Sequence, residues 1–155
     1  MSPYRVAIIG TGDFAPAHVN ALRAAGERVE IVAAVDIEEA AVRAFCETHN
    51  IPQWFTDTET MLSAVQPDLV HIVSPPGTHK ALAIASLRAG AWVCCEKPLC
   101  VSLAEFDAIT QAEAETGRFV STVFQWRFGS AGKHVKRLID VGAMGRPLVG
   151  LCQTL

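Results

Sequence analysis

Apolar and polar positions along this chain fall into short blocks that read as strands and helices in alternation. Val6-Ala7-Ile8-Ile9 and Ile31-Val32-Ala33-Ala34-Val35 are compact apolar runs, too short for helices, and both predict buried strands. A helix is expected from about Glu38 to Thr48, with Ala41, Val42 and Phe45 on one side, and a shorter one over Thr58–Val65, ended by Pro67-Asp68. Leu69-Val70-His71-Ile72-Val73 predicts another strand, which closes at Ser74-Pro75-Pro76-Gly77. Thr78 is placed to cap a helix running to Arg88, with Gly90 as its stop. Ala91–Cys95 reads as the next strand, and Ser102-Leu103-Ala104-Glu105 as a capping box. The helix it opens carries Leu103, Phe106 and Ile109 at helical spacing, and Arg118–Phe124 follows as a strand. This succession predicts an α/β fold, a doubly wound and mostly parallel sheet covered on both faces.

The pattern breaks after Phe124. Gln125-Trp126-Arg127-Phe128-Gly129 interrupts the alternation, and a helix follows with Val135, Leu138 and Ile139 on one face and Gly142 at its end. Gly145-Arg146-Pro147 then leads into Leu148-Val149-Gly150-Leu151-Cys152, an expected strand. An apolar strand with nothing after it leaves an unpaired edge. The expectation is therefore two parts: residues 1–124 as one domain, and residues 125–155 as the start of a second, α+β domain that the chain leaves incomplete.

The junction after the first strand carries the chemistry. Gly10-Thr11-Gly12-Asp13-Phe14-Ala15 follows Ile9 directly, and Asp36 stands at the end of the second strand. In a dinucleotide-binding βαβ unit of the Rossmann type, the first glycine takes dihedrals closed to other residues, and the second lets a pyrophosphate approach the backbone. Ala15 is small enough for close helix packing. The helix N-terminus then offers N–H groups and a favourable dipole to the phosphates. Asp36 can accept hydrogen bonds from both adenosine ribose hydroxyls, and its charge repels a 2′-phosphate, so NAD is expected over NADP. With Glu39 three residues on, Asp36 can equally serve as a helix N-cap, and the two roles are compatible.

Composition narrows the classes. The 155 residues suffice for one good core; half are hydrophobic and 19% are charged, which excludes a disordered chain. A net charge of -3 supplies no electrostatic footprint for nucleic acid or an anionic membrane, and Trp54, Trp92 and Trp126 are not spaced as a base-stacking platform. No apolar run approaches the roughly 20 residues of a membrane span. Five cysteines (Cys46, Cys94, Cys95, Cys100 and Cys152) in no repeated spacing give neither a disulfide framework nor a metal site. Reduced thiols in the cytoplasm fit best. Cys94 and Cys95, adjacent in a strand, are expected to face opposite sides as core fillers.

Taken together, Gly10-Thr11-Gly12, His18, Ser74-Pro75-Pro76-Gly77-Thr78-His79 and Glu96-Lys97-Pro98 resemble the N-terminal domain of the Gfo/Idh/MocA oxidoreductases. Gln125-Trp126-Arg127-Phe128 and the helix ending at Gly142 resemble that family's crossing into its second domain. The resemblance implies hydride transfer between a sugar or cyclic polyol and NAD or NADP. It also implies a second-domain sheet that completes the pocket and builds a homo-oligomer. By the same resemblance, other members turn bound NAD to glycoside hydrolysis or elimination, and a non-catalytic dinucleotide-binding module is a further alternative. On this reading the chain binds cofactor but is not competent alone.

Lys97 is the candidate catalytic residue. It lies just past a strand, at the carboxyl edge where open α/β sheets bind ligands, and Pro98 biases it to an extended conformation. The Lys97–Pro98 bond is a candidate for cis. Partial burial beside a positive nicotinamide would ease proton exchange; alternatively, Lys97 stays charged and holds a substrate hydroxyl, or is an ordinary solvated loop lysine. The expected cofactor contacts are Gly10, Thr11, Gly12, Asp13, Phe14, Ala15 and Asp36, with Ser74, Pro75, His79 and Arg127 added by resemblance and Glu96 as the residue that points opposite Lys97 in an extended chain. For His79 and Glu96 a structural role is open, as is an interdomain salt bridge for Arg127. His18 either packs or supports the glycine loop, and His71 reads as a satisfied core histidine.

Overall fold

The computed structural model describes residues 2–147 and 149, so all of the expected strand at 148–152 but Val149, its edge and Cys152 lie outside the described residues. The chain divides into two compact units, Met1–Val123 and Phe124–Leu155.

In the first unit six parallel strands form one sheet in the order β3-β2-β1-β4-β5-β6: β1 Tyr4–Ile9, β2 Val29–Val35, β3 Trp54–Phe55, β4 Leu69–Ile72, β5 Trp92–Cys95 and β6 Val120–Thr122. The chain runs outward from β1 to β3, then returns to lay β4 on the other side of β1. That reversal opens a crevice at the carboxyl ends of β1 and β4, where such sheets take ligands. Register aligns the strand ends. Ile9 pairs with both Val35 and Ile72, and Ile72 pairs with Cys95. The residues just beyond (Gly10, Asp36, Val73 and Glu96) therefore share one edge.

Alternation along each strand divides the core in two. Ala7, Ile9, Ala33, Val35, Val70, Ile72, Val93 and Cys95 pack against α3 (Thr58–Val65), α4 (His79–Arg88) and α5 (Leu103–Thr116) through Met61, Leu62, Leu87 and Ala112. Val6, Ile8 and Ala34 meet Ala15, Val19 and Leu22 of α1 (Ala15–Ala24), and Val42, Phe45 and Cys46 of α2 (Glu39–Thr48). Burying a large aliphatic side chain contributes about 1.5–3 kcal/mol, so these two layers carry most of the favourable term for folding.

Several local expectations are corrected. Leu103 and Phe106 are exposed, and the inward face of α5 is Ile109 and Ala112. Steps of three residues slip by about 60° each on a helix of 3.6 residues per turn, so Leu103 stands roughly 120° away from Ile109. Ala41 is likewise exposed, while Val42, Phe45 and Cys46 are buried. Thr78 holds the N-cap position of α4 but makes no side-chain capping bond; its hydroxyl donates to the Pro75 carbonyl at 2.8 Å, and Pro76–Thr78 forms one 3₁₀ turn ahead of the helix. The capping box of α5 is offset. Ser102 Oγ accepts from Glu105 N at 3.2 Å, but Glu105 Oε2 accepts from Val101 N rather than from Ser102. β6 has three residues instead of seven, and β3 has two, too few to show any periodicity in sequence. Gly90, with φ +89°, follows the end of α4 as expected.

In the second unit Gln125–Phe128 forms a 3₁₀ turn, and α6 spans Ser130–Asp140. A Cβ at Gly132 would lie 2.7 Å from the Trp126 carbonyl oxygen, so the turn and the helix pack as closely as glycine permits. Val135 and Ile139 on α6 are exposed, and Gly142 follows the helix with φ +72°.

Candidate cofactor site

The loop from β1 into α1 is latched at both ends. Gly10 N–H donates to the Val35 carbonyl at 2.8 Å, and Ala15 N–H donates to the Gly12 carbonyl at 2.9 Å. Gly10 has φ +93°, and a Cβ there would lie 2.8 Å from Ser74 N and Val73 C. Only glycine satisfies both conditions, which fixes the loop against the backbone leaving β4. Gly12 differs. A Cβ on it meets nothing within 4 Å, so its bare backbone faces open space. No side chain caps the N-terminus of α1, and its first turn holds no acidic residue. An anion held against Gly12 would find the dipole end of α1 unopposed. Ala15 is fully buried under the helix, as close helix–sheet packing requires, while Asp13 and Phe14 are exposed.

Asp36 faces this loop across the strand ends. Its Oδ2 accepts from Thr11 N and Thr11 Oγ1, both at 2.8 Å, and its Oδ1 accepts from Glu38 N at 3.2 Å. Burial pushes the carboxyl pKa up, but the amides of Thr11 and Glu38, the Thr11 hydroxyl and the Ile37 amide outweigh it, so the net shift is below the usual carboxylate value. Asp36 is therefore a fixed negative charge. It is not the N-cap of α2; that position belongs to Glu38.

Across the crevice, Lys97–Pro98 is a cis peptide bond. Lys97 is exposed rather than partly buried, and its Nζ lies 5.7 Å from the centroid of the Phe14 ring. Its backbone is held from two sides. Lys97 N–H donates to Glu96 Oε2 at 3.1 Å, and the Pro98 carbonyl lies 2.8 Å from His79 Nδ1. Glu96 and His79, for which cofactor contact and a structural role were both open, turn inward. Glu96 Oε1 lies 3.1 Å from His18 Nε2, and His18 Nδ1 lies 2.8 Å from His71 Nδ1. His79 is fully buried, and its Nε2 lies 2.8 Å from the Ser74 carbonyl oxygen. With both ring nitrogens spent on backbone, His79 ties the Ser74 loop to the Lys97 turn and presents nothing to a ligand. Ser74 Oγ pairs with Thr78 Oγ1 at 2.7 Å, and Pro75 is exposed beside them. Arg127 belongs to the second unit, in its 3₁₀ turn, and is exposed.

The row Glu96–His18–His71 was not legible as a unit in the sequence, though its signal was present. His71 pairs with Cys94 across β4 and β5, so Glu96, two residues on, leaves on the same face, the one α1 covers. Burial, and secondarily the His18 ring, lowers the His71 pKa to about 4, so it is neutral near pH 7. Cys95 and Cys94 do face opposite layers. Burial, with neighbouring acidic groups, pushes the Cys95 thiol up to about 12 and raises that of Cys94. A cavity of about 490 Å³ beside Arg43, Cys46 and Trp54 shares no residue with the glycine loop or with Asp36.

Comparison with known proteins agrees with this geometry. The chain is 32% identical over 150 residues to inositol 2-dehydrogenase 1 of Saccharopolyspora erythraea, covering 96% of this chain and 44% of that protein. D-apiose dehydrogenase of Paraburkholderia graminis is 31% identical, over 95% of this chain and 39% of its own length. Among solved structures, the WlbA dehydrogenase of Bordetella pertussis in complex with NADH and UDP-GlcNAcA superposes with a TM-score of 0.88. It is 26% identical and covers 93% of this chain and 44% of its own. Myo-inositol 2-dehydrogenase of Lactobacillus plantarum gives a TM-score of 0.85 at 26% identity, over 93% of this chain and 43% of that one. The chain thus spans less than half the length of the relatives it matches. Residues 4–124 match the model of the Gfo/Idh/MocA oxidoreductase family with its NAD-binding Rossmann fold, and the chain belongs to that family.

Proposed function

We propose that this chain is the nucleotide-binding part of an NAD-dependent oxidoreductase acting on a sugar or cyclic polyol. The observation that carries the reading is the contrast between two glycines. Gly10 is demanded by the protein's own backbone, whereas Gly12 keeps a space clear that nothing in the described chain fills. Gly12 and the N-terminus of α1 would hold the diphosphate, and Asp36 would receive the adenosine ribose. The fixed charge of Asp36 disfavours a 2′-phosphate, hence NAD over NADP.

Nicotinamide, when bound, would supply the carbon that exchanges hydride with a substrate carbon. Lys97 would act at the substrate oxygen, its Nζ holding the hydroxyl by a hydrogen bond, because its exposure removes the burial on which proton exchange was expected. Its turn is fixed by Glu96 and His79, so the flexible stem starts from a defined place. Ser74 and Pro75 form the wall on the β4 side, with Asp13 and Phe14 at the mouth of the glycine loop, and Arg127 is assigned to the cofactor or substrate. Family resemblance is the support for reading residues 125–155 as part of a substrate domain and the full-length protein as a homo-oligomer. A cytoplasmic setting is supported by free thiols at Cys46, Cys94, Cys95 and Cys100. Among the described residues, no helix is long and apolar enough to cross a membrane.

A chimaera tests this assignment. Residues 1–124 replace the matching segment of the Saccharopolyspora inositol 2-dehydrogenase, and NADH formation is followed with a panel of inositols and aldoses. NAD-dependent turnover that Lys97→Met lowers by at least about 100-fold, with NAD affinity kept within about threefold, is the expected result. Turnover unaffected by Lys97→Met removes Lys97 from the chemistry.

A further inference from the structure

Three titratable side chains lie in a row behind the Lys97 turn. His71 comes from β4, His18 from α1 and Glu96 from the residue just past β5, and both imidazoles are buried. Their bonds admit one direction. An ionised carboxylate only accepts, so His18 Nε2 carries the proton in its 3.1 Å contact with Glu96 Oε1. Only one proton fits between His18 Nδ1 and His71 Nδ1, which are 2.8 Å apart. With Nε2 spent as a donor, an uncharged His18 offers a bare Nδ1, and the neutral His71 donates its Nδ1–H to it. The row thus runs from His71 through His18 to Glu96, whose other oxygen, Oε2, accepts the Lys97 N–H at 3.1 Å.

We propose that His18 and His71 are positioning residues, which clamp the Glu96 carboxylate so that its second oxygen holds the backbone of Lys97. That Lys97 meets a substrate rests on the function proposed above; the clamp itself does not. Replacing buried ionic or polar groups by apolar ones of similar volume is often neutral for stability, or better. Two imidazoles and a carboxylate under α1 therefore add little stability, and what a satisfied polar row adds is direction. The glutamate stem can swing out to solvent. The bond from His18, itself braced edge-on by the His71 ring at 90°, selects the inward position. His18 stands on the helix that starts beside Gly12, so the same clamp ties the Lys97 turn to the glycine loop.

Tautomers and amide exchange test the clamp without any turnover. In NMR spectra of the whole chain with nitrogen-labelled histidine, His18 should be protonated at Nε2 and bare at Nδ1, with His71 protonated at Nδ1. A bare His18 Nε2 overturns the proposal. Hydrogen exchange of the Lys97 amide should quicken at least about tenfold in His18→Leu, while amides of β1 and β4 stay within about threefold. His18→Gln restores a donor and should return Lys97 exchange to within about threefold of the wild type. Unchanged Lys97 exchange in a folded His18→Leu, or an equal rise in the β1 and β4 amides, overturns the proposal. If His18→Leu does not fold, the variant with His18, His71 and Glu96 all changed to Leu takes its place, and the wild-type tautomers decide in either case. In the chimaera with the Saccharopolyspora enzyme, His18→Leu should lower kcat at least about tenfold, with KM for NAD within about threefold, and His18→Gln should restore it. Turnover that responds to Lys97→Met but not to His18→Leu overturns the positioning role. Turnover that ignores Lys97→Met is a distinct result: it removes Lys97 from the proposed function, and exchange and tautomers then judge the clamp.

Discussion

Adding one methyl group to Gly10 or to Gly12 should separate what the fold needs from what the ligand needs. At Gly10 the methyl carbon lands 2.8 Å from Ser74 N and Val73 C, on a residue with φ +93°. A left-handed conformation costs an L-residue about 1–2 kcal/mol, and overpacking a tight site costs about 1–3 kcal/mol more. Gly10→Ala should therefore lose roughly 2–5 kcal/mol, or on the order of 10 °C in Tm for a domain of this size. At Gly12 the methyl meets nothing within 4 Å, and the φ lies outside the left-handed region. Gly12→Ala should leave stability unchanged or raise it by about 0.4–1 kcal/mol through the unfolded chain. It does, however, put a methyl where a phosphate must reach the backbone. Losing one charge-assisted bond costs about 1.5–3 kcal/mol, which is about a 10- to 150-fold rise in Kd for NAD. Thermal melts and calorimetric titrations of both variants read the two effects apart. A Gly12→Ala protein that binds NAD as the wild type does, or that melts as early as Gly10→Ala, would refute the assignment of the two glycines.

The buried His71 predicts a pH dependence. Its folded pKa of about 4 lies below its unfolded value of 6.5, so between those values the unfolded chain binds the extra proton. Stability should fall by about 3 kcal/mol as the pH drops from about 6.5 to about 4, above the range where Asp36 protonates. Urea melts across that window check it, and His71→Gln should flatten the slope. Cys46 and Cys95, with thiols pushed up to about 11 and about 12 by burial, should resist alkylation by iodoacetamide in the native protein at neutral pH. Both should label once the chain is denatured, as mass spectrometry of digests would report; rapid native labelling of either contradicts their place in the core. Asp36→Ala should shrink the preference for NAD over NADP by about tenfold, since it removes the negative charge that faces a 2′-phosphate. An unchanged ratio in paired titrations takes Asp36 out of cofactor choice.

The alternation of strands and helices was legible because a parallel sheet covered on both faces needs continuous apolar runs, and β1, β2, β4 and β5 all supply them. Trp54–Phe55 supplies only two residues, and Val120–Thr122 only three, so edge pairing by β2 and β5 decides those strands. The glycine loop and Asp36 were readable because backbone geometry limits their residue types. For His79 and Glu96 the sequence left a structural and a cofactor-facing role open for the opposite reason. Each stands next to the ligand edge in sequence, but whether its side chain turns out or in depends on neighbours more distant along the chain. His18 lies 78 residues from Glu96, and Pro98 lies 19 residues from His79, separations that local pattern does not register.

Calorimetric titration of the folded chain with NAD and with NADP tests the central claim most directly. Saturable binding of NAD at one site, at least about tenfold tighter than that of NADP, is predicted from Gly12, the α1 N-terminus and Asp36. A folded protein that gives no binding heat with either coenzyme at several temperatures would contradict it.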